Sequence, residues 1–477
     1  MMNLFKNKKQ LEEQKNQLKE QENQRKKEKQ REKELEEKYR IPYKYIFMHK
    51  NILEKTESIY SYYDKYGLIL YTYTHNDKVI ILIYVDNSEK ISKLDWSNIL
   101  KDKDIKYVSF FGPVKTIGDN WLYDCTFLEE VDFNGLDNLE SVGNNWMSNC
   151  NNLKSVNFNG LINLKSVGNN WMIFCTKLEN VDFNGLTNLE TVKNDWLANC
   201  NELKTVDFKG LKSLQKVGHS WMGSCTFLEK INFSGLDNLK SVGHGFIGSC
   251  QKLKSVDFKG LSSLETVEDG WMSFCTKLEN VDFNGLTSLE SVGDNWIHGC
   301  QKLKSVDFKG LSSLETVEDG WMSFCKNLKS VDFNGLSSLT RVGNDWMSYC
   351  KNLISVNFNG LNSLKSVGND WITNCENLIS LNFKGLKSLK HVGHSWIKKC
   401  KKLISVDFNG LSGLERVGNF WIFDCESLKT VDFTGLSSLK HVGNFWMRGC
   451  DNLENKINYD KLKNQTHYNE LNYILIN

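Results

Sequence analysis

From Ile105 to Leu453 the apolar positions recur in one order, L-x-x-V-[DN]-F-x-G-L-x-x-L-x-x-V-G-x-x-W-[MIL]-x-x-C-x-x. The unit is 25 residues long, and a cysteine recurs at that spacing from Cys125 to Cys450, using all 14 cysteines of the chain. The stretch L-x-x-V-x-F, as in Leu153–Phe158, ends with the inward–outward alternation of a short strand. Gly160 and its equivalents from Gly135 to Gly435 follow where the chain must turn. Val167-Gly168 opens a second turn, but Lys193, Glu268 and Glu318 replace that glycine, so an obligatory positive φ is not expected there. No unit has room for a long helix. One unit cannot bury its own leucines, whereas stacked units share a continuous core. The prediction is a repeat solenoid of about fourteen rungs, roughly 65 Å long at the ~4.8 Å spacing of parallel strands.

The flanks are different material. Residues 1–40 are rich in helix formers and carry thirteen Lys+Arg against nine Glu, predicting a charged helical segment. Leu4, Leu11 and Leu18 share a heptad position, but Asn7, Gln14 and Gln21 leave the partner positions polar. A solvated helix is therefore expected, with self-association through it as the lesser alternative. Residues 41–95 read as a small α+β module: a short helix over Asn51–Asp64, then a hairpin. Its strands are Tyr66–Thr74 and Val79–Val85, joined by His75–Lys78. Its expected role is to cap the open end of the solenoid. The solenoid is assigned to 96–453 and a C-terminal cap to 454–477. The first rung is irregular: Ile105–Gly112 matches the strand signature, yet Trp121 arrives two residues early.

Composition adds mostly exclusions. A formal net charge of +2 gives no global pull toward nucleic acid or membrane, and no apolar run has membrane length. The N-terminus leads into charge rather than an apolar stretch, so no secretory signal is expected. That favours a cytoplasmic or host-intracellular location, with surface display by a non-standard route as the alternative. It also argues against a disulfide framework.

Several columns of residues invite chemistry. The cysteines Cys125, Cys150, Cys175 and onward admit a disulfide or metal ladder. In-register side chains, however, hold their Cβ atoms near the strand spacing, wider than a relaxed bridge, and no C-x₂-C pair occurs. Buried thiols are expected. The tryptophans Trp121, Trp146, Trp171 and onward, broken only by Phe246, fall in the apolar period and predict a core ladder. Their indole N–H groups should then meet a carbonyl of the V-G-x-x turn. The Asp or Asn before each strand Phe, such as Asp257, Asp282, Asp307 and Asp332, predicts an acceptor for the amide two residues on. A cation-binding row is the alternative. His219 and His244 share a repeat position, but no carboxylate or cysteine stands at metal-ligand spacing beside them, so no metal or cofactor is predicted. No nucleophile motif, phosphate loop or catalytic carboxylate pair is visible, and an enzyme is not expected.

One irregularity stands out. The residue after the first strand leucine is usually Lys or Glu but becomes Ile354, Ile379 and Ile404 on three successive rungs. With Phe420 and Phe445, which share another repeat position, these are the candidate partner-binding residues.

The strand L-K-S-V-N-F, the V-G-x-x-W step and the C-x-x-L closure resemble the BspA-type (Treponema-like) leucine-rich repeat family over about Ile105 to Leu453. The unit is slightly longer than the family's usual one, and a tryptophan stands where Ala-Phe is usual. The resemblance implies a leucine-rich-repeat superhelix, either α/β-type or mostly β, with a concave parallel sheet. It also implies an adhesin or a protein-binding surface. Taken together, the expectation is a monomeric, non-catalytic protein–protein interaction scaffold, with a surface adhesin or a glycan- or cation-binding ladder as alternatives.

Overall fold

Each repeat forms one rung of a parallel β solenoid. The computed structural model describes residues 2–39, 58–60, 68–75, 78–85, 100 and 105–460. Three segments of each rung hydrogen-bond to the next. The first ladder contains short strands such as Ser155–Asn157, Ser255–Asp257 and Thr430–Asp432, with Val at the centre of most of them. The second is a 14-stranded sheet of two-residue strands from Thr116–Ile117 to His441–Val442. All of its pairs are parallel and offset by one repeat, as in Val192 with Val217. The third segment runs from the residue before each tryptophan toward the cysteine and is treated below. No helix lies within residues 105–457, so the array is of the mostly-β kind. A 25-residue unit spends its length on three short ladders and their turns, leaving nothing for a helix.

The apolar period becomes one uninterrupted core. The Leu, Val, Phe, Trp and Cys positions of the rungs from Trp121 to Trp421, filled by Ile231, Phe246 and Leu381 at three places, point inward and stack on their equivalents above and below. The turn after Phe is tight: a Cβ on Gly160 would overlap the Phe133 carbonyl oxygen of the preceding rung. At Gly235 and Gly260 the φ angle is +97°, which a side chain resists. The glycine after Val167 keeps negative φ, in line with its replacement by Lys193, Glu268 and Glu318.

The irregular first rung has a simple geometric account. Val108 pairs with Val131, an offset of 23 residues, while Ile117 pairs with Val142, an offset of 25. The two missing residues therefore fall in the turn between the ladders, and both ladders stay in register.

At the N-terminus, α1 (Met2–Tyr39) is a single 38-residue helix. Three strands follow: β1 (Ser58–Tyr60), β2 (Leu68–His75) and β3 (Lys78–Val85). The last two form the expected antiparallel hairpin, closed by a His75–Lys78 pair. β3 then pairs in parallel with β4 (Ile105–Phe111), the opening strand of the first ladder. Ile81, Ile83 and Val85 thereby join the solenoid core. The helix expected over Asn51–Asp64 is corrected at β1, which lies antiparallel on β2. An isolated helix of that length is marginal in water, and the edge of β2 satisfies the backbone instead. The rest of that stretch lies outside the described residues. At the other end Asn455–Ile457 adds a last strand beside Thr430–Asp432; residues 461–477 of the expected C-terminal cap are not described.

Candidate functional site

The two columns that first suggest chemistry are structural. All fourteen cysteines are free and buried. From Cys150 on, the thiol of each rung donates to the carbonyl of the residue after Trp on the rung before. Cys150 Sγ lies 3.1 Å from Leu122 O and Cys225 Sγ 3.0 Å from Leu197 O. A small thiol both fills the core and caps a carbonyl there. Burial pushes Cys225, Cys275 and Cys350 up to about 12, so these thiols are poor nucleophiles at neutral pH. The tryptophans stack nearly parallel, Trp121 on Trp146 at 5.4 Å and 2° and Trp321 on Trp346 at 5.1 Å and 1°. They meet the phenylalanine column edge-on, as Trp171 meets Phe158 at 70°.

The indole N–H groups depart from expectation. Twelve of them, from Trp121 to Trp421, are buried without an acceptor. Backbone carbonyls in a solenoid point along its axis and receive the amides of the adjoining rung. Stacking lays each indole across that axis, so its N–H points into the plane of the rung and away from those carbonyls.

Two polar columns hold the turns. The Asp or Asn before each strand Phe accepts the amide two residues on, at 3.0 Å from Asp132 to Asn134 and 3.1 Å from Asp257 to Lys259. The same contact recurs at Asn157, Asn232, Asn357 and Asn382, so the role needs an acceptor and not a charge. A second column escaped sequence reading. The side chain at 119, 144, 169 and onward accepts the backbone amide of its own successor one rung later. Examples are Asp119 with Asn144 (2.7 Å) and Asn344 with Asn369 (2.8 Å). His219, His244 and His394 occupy this column and substitute Nδ1 for the amide oxygen, at 3.0, 3.2 and 2.9 Å. The recurring Asp/Asn/His choice two residues before Trp was the available signal.

The column at the head of the first ladder varies most. Its charges alternate from Lys106 through Glu129, Lys154, Glu179, Lys204, Glu229, Lys254 and Glu279 to Lys304. Neighbours pair at 2.9 Å (Lys106–Glu129), 2.8 Å (Lys154–Glu129) and 2.6 Å (Lys304–Glu279). The hydrogen bonds from Lys154 and Lys106 bring the Glu129 carboxyl down to about 2. Beyond Lys329 the column becomes Ile354, Ile379 and Ile404, which are 44 %, 46 % and 46 % exposed. Their backbones bond directly, with Ile404 N donating to Ile379 O at 2.8 Å. The three form one stripe on successive rungs. Phe420 and Phe445 lie elsewhere on the rung, in the third segment, and stack on each other at 5.4 Å. Sequence reading also missed exposed aromatics just before the cysteine: Phe174, Phe274, Phe324 and Tyr349. Phe324 and Tyr349 stack at 4.5 Å. Their signal was a bulky ring in a column otherwise filled by Asn, Ser, Gly, Asp or Lys.

Short parallel strands stacked every 25 residues around one apolar column define a β solenoid of the leucine-rich-repeat class. The chain belongs to the BspA-type leucine-rich repeat family, whose model matches residues 96–228, 215–354, 275–404 and 322–454. A leucine-rich repeat protein from Bacteroides ovatus is similar in structure, with a TM-score of 0.56 at 18 % identity over 84 % of this chain and 96 % of that one. A Eubacterium ventriosum leucine-rich repeat protein gives a TM-score of 0.40 at 18 % identity over 69 % of this chain and 91 % of that one. The Treponema pallidum leucine-rich repeat protein gives 0.29 at 19 % identity over 50 % and 89 %. No curated protein matches by sequence. The Bacteroides ovatus likeness speaks to fold alone. No described helix is long and apolar enough to cross a membrane.

Proposed function

We propose that the chain is a non-catalytic scaffold that binds a protein partner along the head of the first ladder, centred on Ile354, Ile379 and Ile404. One observation carries the reading. The column elsewhere carries charged residues, alternating in sign up to Lys304, and gives way to a half-exposed apolar stripe about 10 Å long at strand spacing. Alternating charges keep their neighbours satisfied and hydrated, whereas three adjoining isoleucines gain free energy only when covered. The partner's matching feature is an apolar face of two or three side chains, with acidic groups placed to meet Lys329 and Lys429 at the ends of the stripe.

The test is quantitative affinity capture with the intact chain and with Ile354→Asp/Ile379→Asp. The substitutions touch exposed positions, so circular dichroism should be unchanged while at least one captured protein is lost. An identical set of partners with intact folding rejects the site. The adhesin alternative predicts removal by protease shaving of intact cells. The polar-ladder alternative predicts calcium or glycan binding with no protein present.

A further inference from the structure

The fold brings together three residues that the sequence holds far apart. His219 and His244 stack on neighbouring rungs at 4.6 Å. Glu268 stands on the following rung, at a position that is glycine in all but three copies. Its Oε2 lies 3.3 Å from His219 Nδ1 and 3.3 Å from His244 Nε2. One ligand atom from each of the three residues falls within a mutual 4.8 Å. We propose that His219, His244 and Glu268 form a binding site for a divalent transition-metal ion of the zinc type, with solvent completing the coordination.

Two of the three ligand separations match a transition-metal site, and the third lies within the mutual 4.8 Å. Zinc bonds to imidazole nitrogen and carboxylate oxygen are ~2.0–2.2 Å, which places the ligand atoms of a tetrahedron about 3.3–3.6 Å apart. Both contacts to Glu268 have that length. An oxygen-rich calcium site would instead need six or more oxygen ligands. The protons also fit. His219 Nδ1 accepts the His244 amide at 3.0 Å and so presents a lone pair there, with its ring proton on Nε2. The ion takes that lone pair. His244 binds through Nε2, which moves its ring proton to Nδ1, where the Asp269 carboxylate Oδ2 lies 3.3 Å away. That carboxylate–histidine–metal relation is the usual way a ligating imidazole is oriented. Binding gives up two amide contacts of the capping column, at His219 Nδ1 and His244 Nδ1. Glu318, the other acidic replacement of the same glycine, lacks histidines below it and pairs with Arg341 at 3.0 Å instead. Placing Glu above two histidines is therefore particular to this point of the array.

The other rungs supply substitutions that preserve folding. His219→Asn and His244→Asn restore the residue found at Asn194 in the same column, and Glu268→Gly restores the common glycine. Zinc titration of the reduced, folded full-length chain by calorimetry should show saturable binding at one site per chain. Each of the three variants should weaken it at least tenfold. Asp269→Asn, which keeps the capping contact but removes the charge, should weaken it by ~10-fold. Cobalt should give the visible bands of tetrahedral nitrogen and oxygen ligation. Binding left unchanged in the triple variant overturns the proposal, as does the absence of stoichiometric binding. So do intense near-ultraviolet thiolate-to-cobalt bands, which would assign the ion to the cysteine column.

Discussion

A buried indole N–H without an acceptor costs ~1–3 kcal/mol, and the described residues include twelve of them. They persist because each tryptophan also removes ~150–250 Å² from water, worth roughly 4–6 kcal/mol at 25 cal/mol per Å². Stacking on two neighbours adds to that. The array contains its own control: Phe246 sits in the column between Trp221 and Trp271, stacking at 4.8 and 6.0 Å without an N–H to satisfy. Trp296→Phe should therefore change the thermal midpoint little, within the effect of ~1 kcal/mol, because the lost area and the removed polar penalty offset each other. Trp296→Ala should cost ~3–5 kcal/mol through the cavity it leaves. Calorimetry of both variants checks this; a phenylalanine variant as unstable as the alanine one would mean that the N–H has a partner after all. At this scale the sequence disclosed which residues face inward, since Leu, Val, Phe, Trp and Cys keep a fixed period. It did not disclose the N–H geometry or the bonds the Asp/Asn/His column makes from rung to rung. Both depend on how one rung is rotated over the next, and a linear pattern does not carry that information.

The third segment shows how rungs act in blocks. From Leu122 to Met347 the residue after Trp has positive φ, between 48° and 59°. Its amide points back to the preceding Trp carbonyl, as Met347 N bonds Trp321 O at 3.0 Å. At Ile372, Ile397 and Ile422 the peptide is turned over. The segment becomes a β strand, and Ile372 N bonds forward to Trp396 O at 2.8 Å. A β-branched residue resists positive φ, so three consecutive isoleucines account for the change. Ile247 and Ile297 nevertheless remain at +48° and +59°. Each lies between methionine rungs, and turning over alone would break bonds to both neighbours. The change of direction leaves a seam: among the described residues no amide donates to the facing carbonyls of Trp346 and Trp371. Hydrogen exchange should therefore be faster over Trp346–Thr373 than over the equivalent Trp296–Ser323. Equal protection of the two segments would show that the seam carries no local weakness. The sequence contained the cause in its three isoleucines, but their effect is cooperative between rungs and follows from no single residue's propensity.

At the scale of the whole molecule, the backbone ladders and the core stacks of the array join each rung to its immediate neighbours, and the His219–Glu268 contact spans two rungs, so stability should approximate a sum of rung and interface contributions. The sequence offers an unusually clean test of this. The unit Gln251–Cys275 is identical to Gln301–Cys325. Deleting residues 276–325 joins Cys275 to Lys326, the same neighbour that follows Cys325 in the parent. The shortened chain has two fewer rungs, yet every remaining pair of adjoining units already exists in the natural array. The metal-site residues, the isoleucine stripe and both ends are retained. Nearest-neighbour stability predicts that the variant folds with a thermal midpoint within a few degrees of the parent and a smaller unfolding enthalpy, at ~0.7 kcal/mol per deleted residue. It also predicts unchanged behaviour in the zinc and partner-capture experiments. Deleting only 276–300 is the sharper comparison, because it stacks two identical units directly and creates one interface the parent lacks. A large loss of stability in the longer deletion, with every interface native, would show that strain or twist accumulated along the solenoid couples distant rungs.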